Sequence, residues 1–600
     1  MAFIFKEQVM PLEAVEHLPE WDLSDLYPSM EAPEIQTDLA RIDAMADSFA
    51  SSFKGKLAEL TGDQLGAAIE DYERLTEIMH RLYSYADLQF AGDVSDANIG
   101  RFRQTLQEKL TDISSKTLFF TLELNRLDDA VLDRQLEDPR TGRYASWIRD
   151  NRVFRVHQLS DELEEMLHQK SVAGRSAWTR LFEETMAHLR FPVDGVELPV
   201  SDALNLLSDK DGAKRKAAAQ SVGKVLGDNI RLFAHVTNTL AKDKEIEDRW
   251  RQYPHPAAER NLANLVEDEV VEALVTSVQK AYGSLGHRYY ALKAKWFGLD
   301  KMDYWDRNAP VPGDADRLFS WDEARETVMT AYGTFSPELA KVAEPFFDNR
   351  WIDVPPRPGK APGAFAHPTV PSVHPYLLLN FHGKSRDVMT LAHELGHGVH
   401  QVLAGDQGTL MADTPLTLAE TASVFGEMLV FRALLDNETD PARRRILLAS
   451  KVEDMLNTVV RQVAFHQFEE RVHGERQLGE LSVEQLGGIW MDVQRESLGP
   501  AFRFHDEYKH FWAYIPHFVH TPFYVYAYAF GDCLVNSLYA VFQDGHPGFQ
   551  AKYMEMLKAG GTLRHKDLLA PFGLDAGDPA FWRRGLDVIA GFIDELEAEA

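Results

Sequence analysis

The chain of 600 residues carries one cysteine, Cys533. It can form neither an intrachain disulfide nor a cysteine-based zinc cluster. Cations are in deficit: 63 Lys and Arg stand against 93 Asp and Glu, a formal net charge of −30. Such a surplus of acids repels nucleic-acid phosphates and anionic lipid, so neither is expected as a partner. Long apolar runs are missing as well. The most apolar long stretch, residues 521–535, contains Asp532 and falls short of the roughly 18 residues a membrane span needs. The segment Met1-Ala-Phe-Ile-Phe-Lys6 has no sustained apolar core and no small-residue cleavage pattern, which argues against a secretory signal. Fixed-period repeats and low-complexity tracts are absent, which disfavours a solenoid. The expectation is a large, acidic, soluble, cytoplasmic protein, a monomer or small homo-oligomer.

What is present is mostly helical in pattern. Leu65, Ile69, Tyr72, Leu75, Met79, Leu82 and Tyr83 form one apolar stripe of 3–4 residue period, and similar stripes run through 102–127 and 159–189. Strand signals are few. Residues 191–200 alternate around Asp194-Gly195 and read as a β-hairpin, with a domain boundary placed near residue 200. A second cluster at 350–382 contains short β-prone runs at Trp351–Val354, Ala364–Val370 and Tyr376–Phe381, separated by turn residues. The fold class expected is mainly α, with a small β-sheet just before the strongest motif of the chain.

That motif is His393-Glu394-Leu395-Gly396-His397. Two histidines four apart share one side of a helix and can offer two imidazoles to one ion, while Glu394 can reach a water there. Val388, Leu391, Leu395 and Val399 keep an apolar stripe, and Ser385 or Asp387 can cap the start. Gly396 weakens a helix by about 1 kcal/mol, which points to a neighbour packed too close for a side chain. Catalytic zinc takes three protein ligands. A third histidine at the metzincin spacing would fall on Leu403, which rules that subclass out. The next acidic helix offers Glu420 and Glu427, seven apart and on one face, so that one can bind the metal and the other can hold a ligand imidazole. A capping box from Thr417 to Glu420 is the plain alternative. With Pro415 as first helical residue after Thr414, however, Glu420 lies in the second turn, and Glu420 is preferred as ligand with Glu427 behind it.

A third stretch, Ile515-Pro-His517-Phe-Val-His520-Thr-Pro-Phe523-Tyr524-Val-Tyr526-Ala-Tyr528, is dense in aromatics. Amide hydrolysis needs donors for the oxyanion that forms as water attacks, and His517, His520, Tyr524 and Tyr526 are the candidates, although aromatics at this density usually fill a core. His367, His374 and His382 can face the same cleft, but a structural role is the simpler reading of each.

These residues together resemble the oligoendopeptidase F group of the M3 family of zinc peptidases, relatives of thimet oligopeptidase. Trp21-Asp-Leu-Ser-Asp-Leu-Tyr27 is similar to that group's N-terminal signature. Gly363-Ala364-Phe365, His393–His397, Glu420-Thr-Ala-Ser423, Ile515–Phe518 and Phe523–Tyr526 follow its catalytic blocks in order. The resemblance implies a two-lobed helical clamshell around a deep channel, with residues 1–200 as N-terminal lobe and 201–600 as catalytic domain. It also implies one zinc per chain on His393, His397 and Glu420, Glu394 as general base, and short peptides as substrates. Tyr526 is the first choice of donor and Tyr524 the next. The intervening Val519–Pro522 departs from the group's spacing and leaves His517 and His520 as alternatives. A substrate backbone is expected to pair with the strand Tyr376–Phe381, which makes Gly363, Ala364, Phe365, Tyr376, Leu378 and Asn380 candidate substrate contacts. The rivals are a metallocarboxypeptidase on a similar helical fold and a non-catalytic peptide-binding scaffold with structural zinc.

Overall fold

The computed structural model describes residues 18–171, 173–313 and 318–599. The Met1–Lys6 segment, read above for a signal peptide, lies outside them. Helices dominate, and local sequence explains their ends. The helix Gly62–Gly92 starts at Thr61, whose hydroxyl accepts from the Gln64 amide while the Gln64 side chain accepts from the Thr61 amide, a reciprocal capping box. It buries Leu65, Ile69, Leu75 and Leu82, the stripe expected from the 3.6-residue period. Tyr83, at the stripe's margin, is exposed.

The chain folds as two compact units, each built from three separate segments. The first comprises Met1–Arg155, Ala315–Asn437 and Asp544–Gly573. Its N-terminal helices pack around Leu26, Ile35, Ile42, Tyr85 and Ile113, with a second apolar cluster at Phe49, Ile69, Phe120 and Tyr144. It carries a three-stranded sheet of β1 (Ile352–Asp353), β2 (Phe365–His367) and β3 (Tyr376–Leu378). The sheet order is β1-β3-β2, with β1 parallel and β2 antiparallel to β3. After the sheet come α1 (Ser385–Ala404) and α2 (Leu416–Asn437).

The second unit comprises Val156–Asp314, Glu438–Gln543 and Leu574–Ala600. The hairpin Phe191–Val193 with Val196–Leu198 is here, and Asp194 and Gly195 both take positive φ, 50° and 83°, the turn that matches strand twist. Residue 200 lies within this unit. Its core collects Phe191, Phe233, Phe468, Trp490, Trp512 and Val525, and α3 (Val460–Leu478) and α4 (Tyr526–Gln543) belong to it. Among the described residues no helix is long and apolar enough to cross a membrane.

Candidate metal centre

The start of α1 is held by Asp387, whose carboxylate accepts from the amides of His382 and Lys384. Eight residues on, His393 and His397 stand on one side of the helix with ring centroids 5.0 Å apart. Opposite them runs α2. Its first turn closes on Pro415, with the amides of Leu418 and Ala419 bonded to the Pro415 carbonyl, so Glu420 sits in the second turn.

The two helices meet without side chains between them. A Cβ on Gly396 would lie 2.6 Å from the Ala422 carbonyl oxygen and 2.7 Å from the Ser423 Cα, which is why glycine occupies that position. Two tyrosines fix the backbones on either side of this contact. The Tyr332 hydroxyl donates to the Ala392 carbonyl at 2.6 Å, next to His393, and the Tyr553 hydroxyl donates to the Thr421 carbonyl at 2.8 Å, next to Glu420. Gly426 leaves room for the Tyr332 ring, whose hydroxyl would touch any Cβ placed there.

The close approach brings Glu420 Oε2 to 3.4 Å from His393 Nε2 and 3.5 Å from His397 Nε2, and ligand atoms of all three residues fall within 4.8 Å of one another. Ser423 Oγ donates to the same Glu420 oxygen at 2.7 Å. On the far side of the His393 ring, Nδ1 lies 3.2 Å from Glu427 Oε2. A proton on Nδ1 donated to Glu427 leaves Nε2 free as a lone-pair donor. Nitrogen and carboxylate ligands about 2.0–2.2 Å from a tetrahedral ion stand at about this mutual spacing, so the three residues fit a zinc-type ion.

Electrostatics favour a carboxylate on Glu420 and a neutral ring on His397, whereas His393 keeps a second proton that a bound metal would displace. Burial opposes a charge on His393, but Glu427, Glu420 and Glu394 together outweigh it and raise its pKa to about 9. Burial lowers His397. Glu420 is held below the usual carboxylate range, since the two histidines outweigh its burial. Glu394 is buried, 8% exposed. Its burial, opposed by His393 and reinforced by Glu420 and Glu427, lifts its pKa to about 7.

The sheet corrects one expectation. β3 is the middle strand, with β1 on one edge and β2 on the other, so Tyr376–Leu378 has no free edge for a peptide. Tyr376 and Leu378 are buried, and the Tyr376 hydroxyl donates to the Asp22 carbonyl. The outer edge belongs to β2. The Leu377 amide donates to Trp351 beside β1, so its cross-strand partner Ala366 turns its own amide away from β3, where it faces the Glu394 carboxylate. Phe365 packs its ring near Trp21. Asn380 donates to the carbonyls of Ala361 and Gly363 and so shapes the turn that leads through Ala364 into β2.

The aromatic segment lies in the second unit, and its side chains part company. Tyr526 is fully buried, and its hydroxyl accepts from Asn264 Nδ2 at 2.9 Å. It cannot serve as a donor at a site, contrary to expectation. Tyr524 and Tyr528, four apart, are half-buried with rings 5.3 Å apart, and His517 joins them, its Nε2 3.3 Å from the Tyr528 hydroxyl. His520 points elsewhere, with Nε2 3.4 Å from Glu183 and its ring against Phe182.

With this geometry in view, comparison with known proteins is decisive. The model of peptidase family M3 matches residues 205–588. The chain belongs to that family. It is a metalloendopeptidase. A second model, described as Oligopeptidase F, matches residues 123–191 of this M3 peptidase, so the two matches end and begin on either side of residue 200. Oligopeptidase PepF of Bacillus subtilis is 28% identical over 593 residues, covering 96% of this chain and 86% of that protein. Among solved structures, one from Chlamydophila abortus aligns with a TM-score of 0.85 at 21% identity over 99% of this chain and all of that one. Oligoendopeptidase-F from Enterococcus faecium aligns at 0.72 and 23% identity over 94% of this chain and 99% of that one. These structures share the mainly helical fold.

Beside His397 this M3 peptidase has a cavity of about 540 Å³, lined among others by His80, Trp351, His367, Gln401 and Asp413. His374 is structural, stacked on Trp351 with ring centroids 3.7 Å apart and 3.0 Å from Asp25. His382 is exposed at the start of α1. Sequence reasoning missed Tyr332, Tyr553 and Tyr528. The first two carry no local signal. Tyr528 could have been found from its four-residue spacing to Tyr524.

Proposed function

We propose that this M3 peptidase hydrolyses internal peptide bonds of short oligopeptides, with one zinc ion held by His393, His397 and Glu420. The observation that carries the reading is the convergence of those three residues within 4.8 Å with Glu394 on the same helix. When bound, zinc supplies Lewis acidity to the scissile carbonyl and acidifies the attacking water. Glu394, with its pKa raised to about 7, is suited to take a proton from that water and return it to the leaving amine. Glu427 keeps the His393 ring oriented. The substrate backbone pairs with the outer edge of β2 through the carbonyls of Ala364 and Ala366, the Ala366 amide being held by Glu394. The cavity beside His397 receives a side chain that flanks the cut. His517, Tyr524 and Tyr528 supply hydrogen-bond donors for the oxyanion. Short chains are the substrates proposed, and the acidic, single-cysteine composition suits the cytoplasm.

The test is mass spectrometry of a library of 5–20 residue peptides, some with both ends blocked, with and without chelator. Internal cleavage of blocked peptides that stops with chelator is expected. Trimming only of free C-termini supports a carboxypeptidase instead, and binding without any cleavage supports a scaffold.

A further inference from the structure

Helix α3 buries a polar stripe. His466, Glu469 and His473, spaced three and four residues apart, are each less than 10% exposed and lie against one residue, Phe523. The rings of His466 and His473 are 5.8 Å and 4.9 Å from the Phe523 ring, and Glu469 Oε1 accepts the Phe523 amide at 2.8 Å. Buried ionisable groups are unfavourable unless a specific contact or a function retains them. The other Glu469 oxygen is buried and has no hydrogen-bond partner among the described residues, so the carboxyl is there for one bond.

The acceptor of that bond serves an unusual backbone. Phe523 has φ +60°, the left-handed region that a bulky residue seldom enters, and it is the only aromatic residue with positive φ among those described. It forms the elbow between the short helix His517–His520 and α4. His517 stands before the elbow, while Tyr524 follows it directly and Tyr528 lies one turn later. Both ends of the elbow are tied separately. Arg175 donates to the His520 carbonyl at 2.7 Å, and Asn264 donates to the Tyr526 hydroxyl at 2.9 Å. Glu469 holds the middle.

We infer that Glu469 is a positioning residue: by bonding the Phe523 amide it holds the left-handed elbow, and so sets the angle at which His517, Tyr524 and Tyr528 are presented together. The inference rests on the oxyanion-donor role proposed for those three residues. Burial raises the Glu469 pKa to about 8, so near pH 7 the side chain is mostly the neutral acid. Glutamine has the same shape and the same accepting oxygen, whereas leucine fills similar space without an acceptor.

The experiment measures kcat, KM, zinc content and thermal midpoint on a blocked quenched peptide. The variants are Glu469→Leu, Glu469→Gln, Glu469→Asp, Tyr524→Phe with Tyr528→Phe, and that pair combined with Glu469→Leu. Expected for Glu469→Leu is a kcat at least about tenfold lower, with KM within about threefold and one zinc retained. Glu469→Gln stays within about threefold of wild type. The combined variant is no slower than the tyrosine pair alone, because both changes remove one function. If Glu469→Leu fails to fold, Glu469→Asp carries the test: it keeps the acid, shortens its reach, and is expected to lower kcat while Glu469→Gln does not. A folded Glu469→Leu or Glu469→Asp with wild-type kcat overturns the inference, as does a combined loss equal to the product of the separate ones. A wild-type kcat in the tyrosine pair overturns the donor reading itself, and the inference with it.

Discussion

Gly396 and Ala422 meet backbone to backbone: a Cβ on the glycine would stand 2.6 Å from the alanine carbonyl oxygen. This contact lets a carboxylate on α2 come within 3.5 Å of two imidazoles on α1. Gly396→Ala must push the helices apart by some tenths of an ångström, an overpacking that costs about 1–3 kcal/mol. The substitution also improves helix propensity by about 1 kcal/mol, so stability falls only modestly. Zinc affinity is expected to fall more clearly, because the displacement separates Glu420 from the histidines. Zinc competition against a chelator, alongside the thermal midpoint, checks both parts; an unchanged affinity contradicts the account.

Glu427 would act on a bound ion only through His393, whose Nδ1 lies 3.2 Å from its Oε2. Glu427→Ala frees the Nδ1 side of the ring and should weaken zinc binding by about 10–100-fold, with little change in KM for peptides at saturating zinc. A titration with a fluorescent zinc competitor reads this directly. Zinc affinity equal to that of the wild type removes Glu427 from its orienting role.

Tyr526 and Tyr528 should behave in opposite ways although a single residue separates them. Tyr526→Phe loses the bond from Asn264, worth about 1 kcal/mol of stability, and keeps kcat within about threefold. Tyr528→Phe keeps stability and loses about 10²–10³ in kcat if its hydroxyl donates to the oxyanion. Parallel steady-state kinetics and thermal melts of the two variants separate the roles. The reverse pattern returns the donor to Tyr526.

Burial holds His473 neutral, with Lys244 and Arg175 adding to the effect, and its pKa falls from 6.5 to about 3. The unfolded chain therefore binds a proton at this residue from about pH 6.5 downward while the folded chain does not, and stability falls as the pH drops through that window towards 3. Between pH 6.5 and 5 the loss from this residue is at most about 2 kcal/mol. Urea unfolding of wild type and His473→Phe at both pH values checks it: the variant should show a smaller loss. Equal losses mean that His473 is not the buried neutral group.

Much of this was legible in residue patterns because the signals were local. Asp194-Gly195 demands positive φ and makes the hairpin. Thr414-Pro415 marks a helix start and so carries Glu420 past the capping positions. His393 and His397 share a helix face wherever that helix lies. Features set by tertiary pairing were not legible. Nothing within Tyr376–Phe381 says that Ile352–Asp353 will occupy one of its edges, so the middle strand passed for an edge. The alternation Tyr524, Tyr526, Tyr528 looked like one set of donors, yet the chain turns into α4 at Tyr526, which brings the rings of 524 and 528 together and sends 526 into the core. Tyr332 and Tyr553 act through backbone carbonyls some 60 and 130 residues away in sequence, a relation that no spacing records.

The central claim is that Glu394 handles the proton while His393, His397 and Glu420 hold the ion. Glu394→Gln, assayed for zinc by mass spectrometry and for turnover on a peptide blocked at both ends, tests it most directly. The account predicts one zinc per chain, near-normal KM and a kcat lower by about 10²–10⁴. A zinc-loaded Glu394→Gln enzyme that cuts the blocked peptide at the wild-type rate contradicts it.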